Sequence, residues 1–373
     1  MSSQHNPLNE FILIRTLSRD YHSRHAGVNR NRHTVARFIR HAKLTVNDSF
    51  IVDTSSIVTH HITAIRVLDN TSYVVGGVSH VRNCCAIVDR QTLQAKRVVA
   101  CCQKSLHNFV CFGDVMVGGL NTGDIPVFDI FSDRRNTLEG YKIANSYGGA
   151  HIGFNCGRHM AIDKSIAYIL TKKMDNNNDA LIRLDLKDID VSHLDTSVKN
   201  LKVTSIFTGN SARGFCLSDR YVFALYDVGI IRYCKKSLKS KHFSTESLPK
   251  NIDIHQIAAN DFQVFACSGK DLCLLSLKTP SLKILDKAEA TKFTSIFYRS
   301  VQTHTYKGLH FISVLNENPG GVALFVSYRN KLSVACEVGD QTDRPLSLTF
   351  DEKYGRLIIG KEHRKSLMFT LTF

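Results

Sequence analysis

Gly123-Asp124-Ile125-Pro126-Val127-Phe128-Asp129-Ile130 is the stretch on which the fold is decided. A Gly-Asp turn leads into a short apolar segment that alternates and then stops at an aspartate, the pattern of a strand bounded by turn chemistry. Two more apolar segments stand just before it, Phe109–Gly113 and Val115–Leu120, separated only by Asp114. Three short strands therefore follow one another within residues 109–130. The intervening run Gly118-Gly119-Leu120-Asn121-Thr122-Gly123 has the glycine content of a phosphate-cradling loop. It leads from one strand to the next, with no helix whose N-terminus would hold an anion, so it reads as a turn.

Working outward, the same grouping recurs. Hairpins are predicted at Ala64–Asp69 with Tyr73–Val78, Gly214–Asp219 with Tyr221–Tyr226, Ile254–Asn260 with Phe262–Cys267, and Leu346–Asp351 with Arg356–Gly360. A third strand is predicted at Cys85–Asp89, Ile125–Ile130, Leu181–Leu186, Ile230–Cys234, Leu272–Leu277, Val322–Ser327 and Ser366–Leu371. Taking Val88, Phe128, Leu184, Tyr233, Leu275, Phe325 and Phe369 as equivalent points, the spacings are 40, 56, 49, 42, 50 and 44 residues. A repeat of that length holding about four strands per unit is the signature of propeller blades. The expected fold is all-β: a seven-bladed β-propeller of four-stranded antiparallel blades with a basic N-terminal extension.

The quoted stretch resembles the WD40 repeat, whose corresponding strand ends in a Trp-Asp pair; Phe128-Asp129 stands there in this chain. Ile87-Val88-Asp89, Arg183-Leu184-Asp185 and Ile231-Arg232-Tyr233 are weaker matches, and His61, His107 and His255 fall near the family's Gly-His histidine. The chain contains no tryptophan, so the family's Trp–Ser/Thr–His–Asp hydrogen-bond tetrad is incomplete in every blade. The resemblance spans residues 44 to 373 and lies in period and pattern. It implies a binding platform whose partners dock on turns of the top face, where Arg82, Asn121, Lys270, Asn318, Lys361 and Arg364 would lie.

A propeller must close its ring or leave a sheet edge exposed to aggregation. The last unit ends after three strands, and Ser49–Val52 precedes the first unit without a partner of its own. Pairing of these two segments is the expected closure.

Residues 1–43 differ in texture from residues 44–373, and the two are read as an arm and a propeller. Arg15, Arg19, Arg24, Arg30, Arg32, Arg37, Arg40 and Lys43 face only Glu10 and Asp20. Val35, Phe38 and Ile39 could form one short helical stripe, and Phe11, Ile12, Ile14, Leu17 and Tyr21 another. The arm is expected to be separable from the fold. Its possible roles are a solvated or packed extension, a mitochondrial presequence, or an arm binding nucleic acid or a protein partner.

Overall, 48 Lys and Arg against 33 Asp and Glu give a net charge of +15, which favours acidic partners in general. The densest run is Lys235, Lys236, Lys239 and Lys241, placed beyond a third strand. Together with Arg15, Arg19, Arg30, Arg32, Arg37 and Arg40 it is the candidate surface for RNA or an acidic partner. Eleven cysteines, an odd number set mostly in apolar runs, read as reduced thiols of a cytosolic or nuclear protein. No apolar run has the length of a membrane span.

Catalytic signatures are missing: there is no Gly-x-Ser-x-Gly elbow, no Gly-x-x-x-x-Gly-Lys and no His-Glu-x-x-His. Asp188, Asp190, His193 and Asp195 crowd one insertion but lack the glycine of a calcium loop, and Asp175–Asp179 reads as a hairpin loop. No cofactor or metal is expected. The sequence points to a non-catalytic interaction scaffold within a multiprotein complex, with an RNA-associated factor as the alternative.

Overall fold

A computed structural model describes residues 26–51, 61–78, 85–99, 106–120, 122–143, 159–174, 178–209, 212–269, 271–291, 298–316, 320–339, 345–361 and 365–373. Its strands form seven antiparallel sheets arranged as blades. Blade 1 runs from the inside outward as His61–Val67, Ser72–Val78, Cys85–Asp89 and Ala95–Val99. Blade 2 is Leu106–Phe112, Val115–Leu120, Pro126–Asp129 and Arg135–Thr137. Blade 4 is Ala212–Leu217, Tyr221–Tyr226, Gly229–Cys234 and Ser240–Ser244. Blade 5 is Gln256–Ala259, Val264–Ser268, Asp271–Ser276 and Lys283–Glu289, and blade 6 is Tyr298–Tyr306, Leu309–Asn316, Gly321–Tyr328 and Lys331–Gly339. All seven expected third strands are found, each within two residues of its predicted limits.

Blade 3 departs from the regular plan. Its inner position is shared by Tyr141–Ile143 and Met160–Asp163, which pair with opposite ends of Ile166–Lys173; Asp179–Asp185 and Thr204–Gly209 complete it. The Asp/His insertion joins its last two strands. It holds a six-residue helix, Leu194–Lys199, which buries Leu194 and Val198. Asp195 accepts from the Asn136 side chain, and Arg134 donates to the carbonyl of Ser192 at 3.0 Å. The insertion thus covers the outer strand of blade 2, a sheet edge that would otherwise stand open.

Blade 7 is closed by the two ends of the propeller. Pro345–Asp351, Arg356–Lys361 and Lys365–Thr372 are completed by Lys43–Ile51, with Ser49 opposite Leu367 and Ile51 opposite Lys365. The expected closure is present and longer than Ser49–Val52, because the pairing runs back to Lys43 opposite Thr372.

The buried apolar residues gather in seven clusters, one at each junction between neighbouring blades. A blade has no core of its own; both faces of its inner strands are buried against neighbours, while outer strands such as Ala95–Val99 and Lys283–Glu289 are largely exposed. Phe128, at 1% exposure, lies between blades 1 and 2 among Val74, Ile87, Phe109 and Met116. The residue that stands where the WD40 repeat has its tryptophan is thus buried between blades.

The arm is not wholly separate from this ring. Helix α1, Ala26–His41, lies over blade 6 and inserts Val35 and Phe38 into the cluster shared by blades 6 and 7. The Phe38 ring sits 5.6 Å from Phe311 and 5.0 Å, edge-on, from Phe373. The Val35, Phe38 and Ile39 stripe is therefore a packing face. Arg40 and His41 fall in the last turn, where cations complement the helix dipole. The stripe Phe11–Tyr21 lies outside the described residues.

Truncation to alanine of a buried phenylalanine costs about 3–5 kcal/mol. Phe128→Ala and Phe38→Ala should each destabilise the protein by that amount in denaturant unfolding. Deleting residues 1–41 should likewise lower the thermal midpoint, and an unchanged midpoint would show that α1 adds nothing to the ring.

Candidate functional site

The antiparallel order sorts the turns onto two faces: those joining first to second and third to fourth strands emerge on one, those joining second to third strands on the other. On the first face the mouth of the central channel holds a cavity of about 270 Å3, walled by blades 3 to 7. Asp163, Asp219, Asp261, Glu352, Lys235 and His304 are among its lining residues.

Several of these groups are held by cross-blade bonds. Asp163, ending the inner strand of blade 3, pairs with Lys235 of blade 4 at 2.6 Å. Asp261 of blade 5 accepts from the Arg220 backbone at 2.9 Å and from its Nε at 2.7 Å. On the opposite face, Arg213 at the start of blade 4's first strand spans Asp227 in the second-to-third-strand turn at 2.5 Å and Asp253, just before the first strand of blade 5, at 2.6 Å. Thr303 Oγ1 donates to Ala259 O, and Gln263 donates to Ser327 Oγ. The channel wall is a set of stitches between blades, and these partners are occupied in holding the ring.

The junction of blades 7 and 1 carries the most buried of these stitches. Asp351, 1% exposed, accepts from Arg90 Nη2 at 2.5 Å and Nε at 3.1 Å and from the Tyr73 hydroxyl. Burial and the neighbouring carboxylate raise the Tyr73 hydroxyl well above its ordinary value. Arg356 donates to Arg90 O at 2.6 Å, so the arginine is fixed from both sides.

Sequence-predicted positions fare unevenly. Lys361 ends the second strand of blade 7 and is buried at 3% exposure, so its side chain is not on offer to a partner as expected. Arg82, Asn121, Lys270, Asn318 and Arg364 fall between second and third strands in chain order, but they lie outside the described residues. Lys235, part of the basic run expected to meet RNA or an acidic partner, instead turns to Asp163, at 12% side-chain exposure. Lys236, Lys239 and Lys241 are exposed, as are Arg37 and Arg40 on α1, while Arg32 is half-buried. Arg15 and Arg19 lie outside the described residues, and Arg30 falls within α1.

Only part of the Gly118–Gly123 run is a turn: Gly118, Gly119 and Leu120 end the second strand of blade 2, and the turn beyond it has Gly123 at φ +84, a left-handed conformation that glycine adopts without strain. Among the described residues no group of three His, Cys, Asp or Glu side chains is placed to hold a metal ion. Cys111, Cys216, Cys234 and Cys273 are unbridged. Burial pushes Cys111 up to about 12 and Cys273 to about 11, which leaves both protonated at neutral pH and poor nucleophiles. No helix among the described residues is long and apolar enough to cross a membrane.

Sequence reasoning missed Arg220, Arg232 and Phe262. Arg220 stacks over both Tyr221 and Phe262, and Arg232 over Tyr221 and Phe243. The available signal was alternation within Ile230-Ile231-Arg232-Tyr233, which sets Arg232 and Tyr233 on opposite faces of blade 4. Tyr233 packs toward blade 3, away from the cations of the other face.

His304 lines the channel mouth, and its protonation is tied to the fold. Its Nε2 lies 2.6 Å from the Ser313 hydroxyl, its ring packs 5.1 Å from both Phe311 and Phe350, and burial pushes its pKa down to about 3. An unfolded histidine takes up its proton near pH 6.5. Protonation therefore favours unfolding between these values: the stability contributed by neutral His304 is complete above pH 6.5 and is lost as the pH falls toward 3. The drop in unfolding free energy between pH 7 and pH 4.5 should be smaller in His304→Gln than in the unaltered protein. Equal drops would place the histidine's protonation outside the stability of the fold.

No protein-family model matches the sequence, and no curated protein matches it. Solved structures do match in fold. The chain is similar to the WD40 β-propeller domain of Doa1, with TM-score 0.58 and 12% identity over 88% of this chain and 97% of that one. It is also similar to a chain in the crystal structure of the Mitotic Checkpoint Complex, with TM-score 0.59 and 11% identity over 88% and 95%. With seven four-stranded antiparallel units and a ring closed by its own N-terminal strand, the chain is by its fold a WD40-like β-propeller.

Proposed function

We propose that this protein is a non-catalytic interaction scaffold, an adaptor subunit of an intracellular multiprotein complex. The observation that carries the reading is the closed ring: seven apolar junctions and their cross-blade bonds fix two faces of turns in space, and rigid display of loops suits binding. The similar chain in the Mitotic Checkpoint Complex structure is itself part of an assembly. At the channel mouth Asp163 and Asp261 are engaged by Lys235 and Arg220, which leaves them serving the ring rather than a substrate. Fold alone does not assign function, and the partner-binding edge is placed by analogy with propellers on the second-to-third-strand turns bearing Arg82, Asn121, Lys270, Asn318 and Arg364. An RNA-bound role is a second reading, favoured by the cation–aromatic surface of blade 4.

Affinity isolation of the tagged full-length protein, followed by size-exclusion chromatography with and without nuclease, tests the proposal. A nuclease-resistant complex with stoichiometric protein partners is expected. Arg82→Glu combined with Arg364→Glu should release a partner without changing the thermal midpoint. Elution as a monomer under all conditions would overturn the reading.

A further inference from the structure

One face of blade 4 carries a row in which cations and rings alternate. Tyr221 and Phe223 are neighbours along the second strand, Phe223 stands opposite Arg232 on the third, and Arg232 stands opposite Lys241 on the fourth. Cross-strand partners share a face, so Tyr221, Arg232, Lys241 and Phe243 all project toward blade 5. Phe223, Leu225, Ile230 and Phe243 on that face form the apolar junction with blade 5. The end of the face next to the third-to-fourth-strand turn is cationic. Arg232 lies 4.5 Å from the Tyr221 ring centre and 5.7 Å from that of Phe243, and Lys241 Nζ lies 5.1 Å from Phe243. Arg220 continues the row, 5.4 Å from Tyr221 and 5.6 Å from Phe262 at the first turn of blade 5.

Three observations argue that this row faces a ligand. Phe262 is 81% exposed although aromatic, the most exposed of the large apolar side chains described. Arg232 and Lys241 stand directly opposite one another with like charge, an arrangement that destabilises a sheet. Among the described residues, no carboxylate pairs with Arg232, Lys236, Lys239 or Lys241, whereas Lys235 and Arg220 are each held by an aspartate. The rings of Tyr221 and Phe243 offset part of this repulsion but no carboxylate does, and local rules broken in this way mark functional surfaces.

We propose that this face of blade 4, with Phe262, binds single-stranded nucleic acid. Rings on either side hold the Arg232 guanidinium in a set plane, so its N–H edge meets a phosphate with little loss of side-chain freedom. Lys236, Lys239 and Lys241 supply further phosphate contacts along the third-to-fourth-strand turn and the outer strand. Phe262 offers an open aromatic face to a base, and stacking of this kind needs an unpaired strand because a base within a duplex has no free face. An acidic peptide would satisfy the cations but would make no use of the Phe262 surface that Arg220 leaves exposed.

The test is fluorescence anisotropy of the full-length protein with labelled twelve-residue oligo-U and oligo-dT, titrated at several salt concentrations, with poly-glutamate as competitor and an abasic oligonucleotide as control. Thermal unfolding checks each variant, and Lys187→Gln on the blade 3 insertion is the charge control. Four phosphate contacts at about 0.7 each give a salt slope near −3, and combining Arg232→Gln with Lys241→Gln should flatten it by about 1.4. Phe262→Ala should weaken binding about 10-fold with the slope unchanged, and that loss should vanish on the abasic strand. Should the Arg232 and Lys241 pair of changes disturb folding, Lys236→Gln with Lys239→Gln reads the same slope. Preference for one oligonucleotide identifies the sugar recognised; equal binding identifies the unpaired strand as such. Equal competition by poly-glutamate overturns the proposal in favour of an acidic protein partner. Binding unchanged in all variants also overturns it, placing the site elsewhere, the N-terminal arm included.

Discussion

Closure of the ring is the constraint on which every other feature depends. Each blade buries both faces against its neighbours, so an open ring would strip the terminal blades of one face each and unpair a strand edge. Two devices secure the join. One is the backbone ladder between Lys43–Ile51 and Lys365–Thr372. The other is the junction of blades 7 and 1, where Thr349 Oγ1 donates to Ile65 O at 2.6 Å and Ser347 Oγ to Ile62 O, and where Asp351 receives Tyr73 and Arg90. Burying a lone carboxylate would be costly, and a buried ion pair returns that cost only when its remaining hydrogen-bonding groups are satisfied. Asp351 meets the condition with three side-chain donor bonds, and its second oxygen also accepts from the Lys353 backbone. The contribution of such a pair lies as much in register as in energy: only one alignment of blade 7 on blade 1 brings these groups together.

The same physics decides what the sequence reveals. Strands buried on both faces must be apolar throughout, and a turn of two to four residues must be built from Asp, Asn, Ser or Gly. Cys85–Asp89 and Val115–Leu120 are legible for that reason, and the period between third strands then yields the number of blades. Phe128 is legible because it stands at a fixed place in a repeated unit. The stitches between blades are not. Tyr73 and Asp351 are 278 residues apart, and Lys235 and Asp163 are 72 apart, so no local pattern links them. Lys361 shows the limit most plainly: a lysine at a strand end beside further cations reads as surface, yet the fold buries it. The blade 3 inner strand was illegible because its two pieces, Tyr141–Ile143 and Met160–Asp163, are each too short to stand out as a strand.

The basic excess of the chain takes on a pattern once these stitches are known. Arg90, Arg213, Arg220 and Lys235 each hold an aspartate across a junction, Arg213 doing so as well as binding within its blade. Charge used this way is neutralised locally and adds nothing to long-range attraction. The remaining field comes from cations that hold no carboxylate, such as Arg232 and Lys241, and net charge in the sequence cannot separate the two populations. A residue's partner, rather than its type, determines whether it belongs to the frame or to the surface.

The N-terminal arm divides along the same line, within a single helix. Val35 and Phe38 are drawn into the cluster of blades 6 and 7, while Arg37 and Arg40 remain at the surface. An isolated helix of this length is marginal in water and gains its order by docking an apolar stripe. The order of Arg37 and Arg40 is thus borrowed from Phe38. Cations on a docked helix keep a fixed position relative to the blades, whereas the same cations on a free tail would lose conformational freedom on binding any partner. The helix leads straight into the strand that closes the ring: Ala42 N donates to Phe38 O at 2.8 Å, and Lys43 opens the pairing with Thr372. Docking of Phe38 against Phe373 and pairing of Lys43 with Thr372 act on the same few residues at the two ends of the propeller, so the packing of the helix and the closure of the ring support one another.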